Sequence, residues 1–244
     1  MLKTIKNVDI NYIDYGNGDK VLVLLHGWGQ NIEMMKPIGD KLQKNNRIII
    51  VDLPGFGNSP EPNSIWTIYD YADSIYELLK SLKIDNPILI GHSFGGKISL
   101  AYASKYNVDK LILFGSPYKK EIQKLSFKTK MLKKIKKVPV LNKLEGFAKK
   151  HMGSRDYKNA SEFMRKILVT HVNLDITEDV KKISCPTLLV WGTLDQEVPV
   201  DEAYELEKLI KDAGVVTYEG CSHYAYLERL PQTIKVIKSF IGDE

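Results

Sequence analysis

Cysteine is scarce in this chain: Cys185 and Cys221 are the only two in 244 residues. Two thiols so far apart in sequence establish neither a disulfide framework nor a metal site, and both are expected to be reduced structural residues. Cys221 stands two positions before His223, so its oxidation would disturb that neighbour without making the thiol itself catalytic. Long apolar runs are missing too. The longest, around 21–25 and 48–53, fit buried strands and fall well short of the roughly 18 residues that suggest a membrane span. The opening MLKTIKNVDINYIDYG has no apolar stretch like that of a secretory signal, and a cytoplasmic protein is expected. Phosphate and dinucleotide loops are absent as well. GHSFGGK lacks the length and the Lys-Ser/Thr ending of the former, and GFGNSP is not the GxGxxG of the latter. No nucleic-acid motif accompanies the positive charge, so nucleic acid is not an expected partner.

What is present is a composition ordinary for a globular protein, 43% hydrophobic and 27% charged, with an uneven charge. Segment 118–182 carries 18 Lys/Arg against 7 Asp/Glu, while the remainder carries 17 against 23. Outside that segment strand and helix patterns alternate. Residues 4–15 loosely alternate apolar and polar, reading as a short antiparallel edge, and the turn at 16–19 leads into the buried strand VLVLLHGWG. Helices are predicted over 33–44, within TIYDYADSIYELLKSLKI, over 97–106, over 201–212 and over Leu230–Ile241. Strands are predicted in RIIIVDL, at 86–90, over Lys110–Phe114, in PTLLVWG and in VVTYEG. Alternation of this kind builds a mostly parallel sheet with helices on both faces. Segment 118–182 reads instead as amphipathic helices without strand signals. The predicted organisation is therefore a core of 1–117 and 183–244 with a helical cap, 118–182, inserted over the carboxyl edge of the sheet, where open α/β sheets bind ligands.

The most informative segment is Gly91-His92-Ser93-Phe94-Gly95-Gly96. It follows the apolar strand PILI and precedes a helical run, the setting in which a strained strand-to-helix turn presents a serine hydroxyl above the sheet. The small neighbours Gly91 and Gly95 let chains pass closely, and the following helix N-terminus favours negative charge. A free hydroxyl is a weak nucleophile near neutral pH and needs a base held by an acid. Asp195 lies just beyond the strand of LLVWGTLDQEVP, and His223 just beyond that of VVTYEGCSH, giving the order Ser, Asp, His. Glu197 and Asp201 lie further along the acid's loop and rank below Asp195. Among the other four histidines, His26 is expected to bond its own loop and His92 to pack locally, while His151 and His171 fall in the cap and are expected to be solvated. Asp52, at the end of another strand, is expected to bond loop backbone. A tetrahedral oxyanion needs N–H donors, which the backbones of Phe94 and of Trp28, in His26-Gly27-Trp28-Gly29, are placed to supply. The Trp28 indole should also wall the pocket.

Five segments in order, HGWG, VDLPGFGNS, GHSFGG, WGTLDQEVP and GCSHYAYLERLP, together resemble the α/β-hydrolase superfamily across nearly the whole chain. The resemblance implies Ser93, Asp195 and His223 as the catalytic triad. HGWG with GHSFGG looks most like the pimeloyl-[acyl-carrier-protein] methyl ester esterases and related small carboxylesterases, and so implies ester hydrolysis through an acyl-serine. Enol-lactonases and carbon–carbon bond hydrolases share much of the pattern, and a non-catalytic small-molecule receptor is the alternative outside enzymes. A serine at 93 argues against the dehalogenase and epoxide hydrolase branches. No metal or organic cofactor is implied. In the cap, the apolar face bearing Phe127, Phe147 and Phe163 is expected to cover the serine and bind substrate. The lysine pairs at 119–120, 133–134, 136–137 and 149–150 would face outward, as a solvated face or as a dock for an acidic acyl carrier protein or anionic surface.

Overall fold

The computed structural model describes residues 1–120 and 160–243. Eight strands, β1 (Leu2–Ile5), β2 (Val8–Tyr15), β3 (Lys20–Leu25), β4 (Asn46–Val51), β5 (Ile88–His92), β6 (Lys110–Phe114), β7 (Thr187–Gly192) and β8 (Ala213–Tyr218), form one sheet in the order β1-β2-β4-β3-β5-β6-β7-β8. β1 pairs with β2, and β2 with β4, antiparallel; every other pairing is parallel. The central strands KVLVLL, NRIIIV and KLILF are buried on both faces, which is why they read as apolar runs rather than alternating ones. Alternate residues then divide between two cores. Val23, Leu25, Leu89, Leu111 and Leu113 face one way, against α2 (Ile68–Ser81) and α3 (Phe94–Ala103). Leu22, Leu24, Ile88, Ile90 and Ile112 face the other, against α1 (Ile32–Leu42) and the closing helix α8 (Leu230–Ile241).

Helix starts follow the local chemistry. Thr67 and Asp70 form a reciprocal capping box at the head of α2, and Asn31 caps α1 by accepting from the Glu33 N–H at 3.0 Å. Two helices of the predicted cap segment are described, α4 (Glu162–Asn173) and α5 (Thr177–Val180). Ser161 caps α4, and its buried stripe, Met164, Ile167, Leu168 and His171, repeats at helical spacing toward the core. The segment's ends meet where the Ile176 N–H donates to Tyr118 O at 2.9 Å. Lys97, on α3, is the lone cation of an otherwise apolar helix and is 1% exposed. Its ammonium donates to the carbonyls of His171 (3.0 Å) and Leu174 (2.6 Å) at the end of α4, where both the freed carbonyls and the helix dipole favour a cation. The remaining helices are α6 (Asp201–Leu209), packed on β7 and β8, and the single turn α7 (Ala225–Glu228).

Candidate active site

The site is assembled at the carboxyl ends of the parallel strands. β5 ends at His92, and α3 begins at Phe94, leaving Ser93 alone to reverse the chain direction. Its backbone is held at φ 52°, ψ −112°, a conformation that costs on the order of 1–3 kcal/mol for a residue with a Cβ. The Ser93 N–H donates to Phe114 O at 2.9 Å, and the Gly95 N–H to His26 O at 3.1 Å. These bonds fix the turn against its neighbouring strands. A Cβ at Gly91 would come within 2.6 Å of Gly95 O, and one at Gly95 within 2.4 Å of Leu25 O, so both glycines are needed for the close approach.

Asp195 and His223 stand on adjoining loops, after β7 and β8, that are laced together. The Thr193 N–H donates to Tyr218 O (3.1 Å) and the Leu194 N–H to Cys221 O (2.9 Å). The buried Trp191 indole donates to Val198 O at 3.0 Å, closing the acid's loop from the far side. Asp195 is 8% exposed; its Oδ1 accepts from the Glu197 and Val198 N–H groups, each at 2.9 Å, and its Oδ2 meets His223 Nδ1 at 2.8 Å. With both carboxylate oxygens engaged, the aspartate cannot turn, and the imidazole carries its proton on Nδ1 with Nε2 left for the cavity. Glu197 lends its backbone to this arrangement, and Asp201 opens α6 as an exposed residue.

Ser93 and His223 line one cavity of about 780 Å³, together with Trp28, Phe94, Leu168, His171 and others. Among the described residues no hydrogen bond joins the two side chains. Nor, among the described residues, does the backbone N–H of Trp28 or Phe94 donate to a protein acceptor. The side chains of these two residues pack edge-to-face, centroids 5.1 Å apart, within a cluster that includes Phe56.

His26 bonds its own loop, as expected. Nδ1 donates to Gly27 O at 2.8 Å and Nε2 accepts from the Leu53 N–H at 3.0 Å, and burial lowers its pKa to about 4. Asp52 accepts from the Ile32 and Asn58 N–H groups and from Asn11 Nδ2, each at 2.8 Å, tying β2 and the start of α1 to the loop after β4. His92 is fully buried, between Gln30 Oε1 and His223 O, each 3.2 Å away. Burial, with His223 beside it, holds its pKa well below the usual histidine range. Gln30, which sequence reasoning passed over, also accepts from the Gly27 N–H at 2.9 Å, so it links the Trp28 loop to the His223 loop. Both thiols are free.

Two expectations require correction. His171 is not solvated: it is 6% exposed, stacks parallel to Trp28 and packs edge-on against Phe94, with centroids 6.5 and 4.6 Å apart. The 3.6-residue stripe of α4 turns it inward, and burial beside Lys97 pushes its pKa far down. Phe163 does not line the cavity. One position off that stripe, it packs half-buried against the larger core. Phe127, Phe147 and His151 lie outside the described residues.

A strained serine turn at a parallel strand end shares one cavity with a carboxylate-held histidine from the last strand's loop, an arrangement that defines a class of α/β proteins. Residues 20–127 match the sequence model of the alpha/beta hydrolase fold. A proline iminopeptidase of Saccharolobus solfataricus is 30% identical over 98% of this chain and 91% of its own length. A pimeloyl-[acyl-carrier protein] methyl ester esterase of Aliivibrio fischeri is 25% identical over 91% and 93%. Among solved structures, an esterase from Exiguobacterium antarcticum superposes with a TM-score of 0.79 at 24% identity, covering 100% of this chain and 99% of that one. The chain belongs to the α/β-hydrolase family.

Proposed function

We propose that the chain is a serine hydrolase that cleaves carboxylic esters through an acyl-Ser93 intermediate. The observation that carries the reading is the doubly anchored Asp195 bound to His223 Nδ1 in the cavity that also holds the strained Ser93. His223 Nε2 takes the Ser93 hydroxyl proton as Oγ attacks the ester carbonyl, and Asp195 stabilises the imidazolium. The Trp28 and Phe94 N–H groups, which no described residue occupies, receive the oxyanion. The imidazolium then protonates the departing alkoxide; water, deprotonated by the same histidine, releases the acid and restores Ser93. Ser93 and His223 share this cavity without a hydrogen bond between them, and such contacts tighten when substrate binds. The similarity to a pimeloyl-[acyl-carrier protein] methyl ester esterase over most of both chains adds support.

In the same reading 118–182 serves as the cap over this cavity, with its lysine-rich sequence steering an ester carried by an acidic carrier protein. No helix among the described residues is long and apolar enough to cross a membrane, and two unpaired thiols fit a reducing, cytoplasmic setting. A fluorophosphonate probe should label Ser93, and Ser93→Ala should lose both labelling and hydrolysis of p-nitrophenyl esters. Ester turnover undiminished in Ser93→Ala would refute the proposal.

A further inference from the structure

His171 is a buried polar ring that lines the cavity alongside Trp28, Phe94, Leu168 and Val172, with its ring against those of Trp28 and Phe94. Its Nδ1 is buried with no hydrogen-bond partner, a state that native interiors avoid unless something else compensates. An orphaned lone pair is tolerated better than an orphaned N–H. The Lys97 ammonium, donating to the carbonyl of His171 itself, further disfavours a positive charge on the ring. The neutral ring therefore carries its hydrogen on Nε2, the one nitrogen through which it can meet a ligand.

The position of the ring says which part of a substrate it meets. In the reading proposed above, on which this inference rests, the leaving group departs toward His223, whose ring neighbours are His92 and Tyr224. The ring neighbours of His171 are instead Trp28 and Phe94, the two residues whose N–H groups hold the carbonyl oxygen. His171 thus walls the acyl side. We propose that His171 is a specificity-determining residue that donates a hydrogen bond to an uncharged oxygen in the acyl chain of the substrate. Oxygenated acyl esters (ether, keto or hydroxyl) are then preferred to alkyl esters of the same length. Lys97 acts as the positioning residue, pinning the end of α4 so that the ring stays against Trp28.

The test compares kcat/KM for p-nitrophenyl 3-methoxypropanoate and p-nitrophenyl pentanoate, which differ by one oxygen in place of one methylene. Each ratio is corrected for the hydroxide-catalysed rates. The wild-type ratio should exceed that of His171→Phe, which keeps an aromatic ring but no donor, by about fivefold, the size of one net hydrogen bond. His171→Gln, which restores an N–H, should recover part of the preference. Because the readout is a ratio, a general loss of rate in the variants does not mimic the effect. Equal ratios in wild type and His171→Phe, with both esters turned over, would overturn the assignment while leaving ester hydrolysis intact. Failure of the wild type to hydrolyse either ester would instead refute the ester reading, and this inference with it. If the Phe variant does not fold, the wild type decides alone: a corrected ratio at or below one overturns the proposal.

Discussion

Gly115 offers a test of the proposed acid–base pair, Asp195 and His223, that substitutes neither of its members. It follows β6 at φ +49°, and a Cβ built there would lie 2.9 Å from His223 Nδ1, 3.0 Å from its Cε1 and 3.1 Å from Asp195 Oδ2. Ordinary carbon contacts begin near 3.5 Å, so in Gly115→Ala the imidazole and carboxylate must retreat by about half an ångström. The acid cannot follow the ring freely, because its other oxygen is held by two backbone donors. A misplacement of about 1 Å at a reacting group costs roughly 100-fold in rate, so kcat on a p-nitrophenyl ester should fall about 10- to 100-fold. The left-handed backbone adds about 1–2 kcal/mol of destabilisation, or a Tm lower by roughly 2–8 °C in a chain of this size. Gly214→Ala is the control, since a Cβ there meets nothing within 4 Å, and it should leave kcat unchanged. A Gly115→Ala enzyme with wild-type kcat and a lowered Tm would show that the contact is absorbed without moving the histidine, and the argument from geometry would fail.

Asp195→Asn should lower kcat by about four orders of magnitude, because an amide cannot accept from both the backbone N–H pair and His223 Nδ1, and the wrong imidazole tautomer results; steady-state kinetics with retained folding checks this. Stability should fall as pH drops below 6.5. His26, His92 and His171 are all depressed by burial, His26 to about 4. The unfolded chain therefore binds protons that the folded one refuses, and the stability these neutral rings contribute, complete above pH 6.5, is lost as pH falls toward 4. Each histidine contributes a slope of about 1.4 kcal/mol per pH unit in that window; urea unfolding midpoints that stay level from pH 7.5 to 5 would contradict this.

Strand identity was legible because burial on both faces of a parallel sheet writes apolar runs directly into the chain. β6 and α8 have the predicted bounds, Lys110–Phe114 and Leu230–Ile241. The N-terminal edge was harder. Residues 4–15 read as a short antiparallel edge; the hairpin there starts earlier, at Leu2, and its turn residues, Lys6 and Asn7, both have positive φ, 48° and 61°. A turn of that hand is signalled by Asn-Gly or Asp-Gly, and a lysine in its first place conceals it. α3 begins three residues before the predicted 97, since the strained serine turn passes straight into helix with no cap between. The strand-end placement of Ser93, Asp195 and His223 was legible for a similar reason: each follows a strand, and strand ends are where the periodicity stops.

The residues that sequence reasoning missed are those whose meaning depends on a partner from another element. Lys97 was the clearest signal available. A single cation in FGGKISLAYA must either reach solvent or find buried acceptors, and the chain alone does not say that those acceptors are the carbonyls of a helix beginning 65 positions later, at Glu162. His171 is the converse case. Helical periodicity assigns it to the face shared by Met164, Ile167 and Leu168, yet the basic composition of its segment suggested solvent. Composition averages over a segment, whereas burial is decided residue by residue around the helix axis, and in α4 the inward stripe overrides the segment's charge. The reading of 118–182 as a cap is therefore best pursued through positions on that stripe, where the physics is local, rather than through its lysines, whose net charge concerns encounter and not fit.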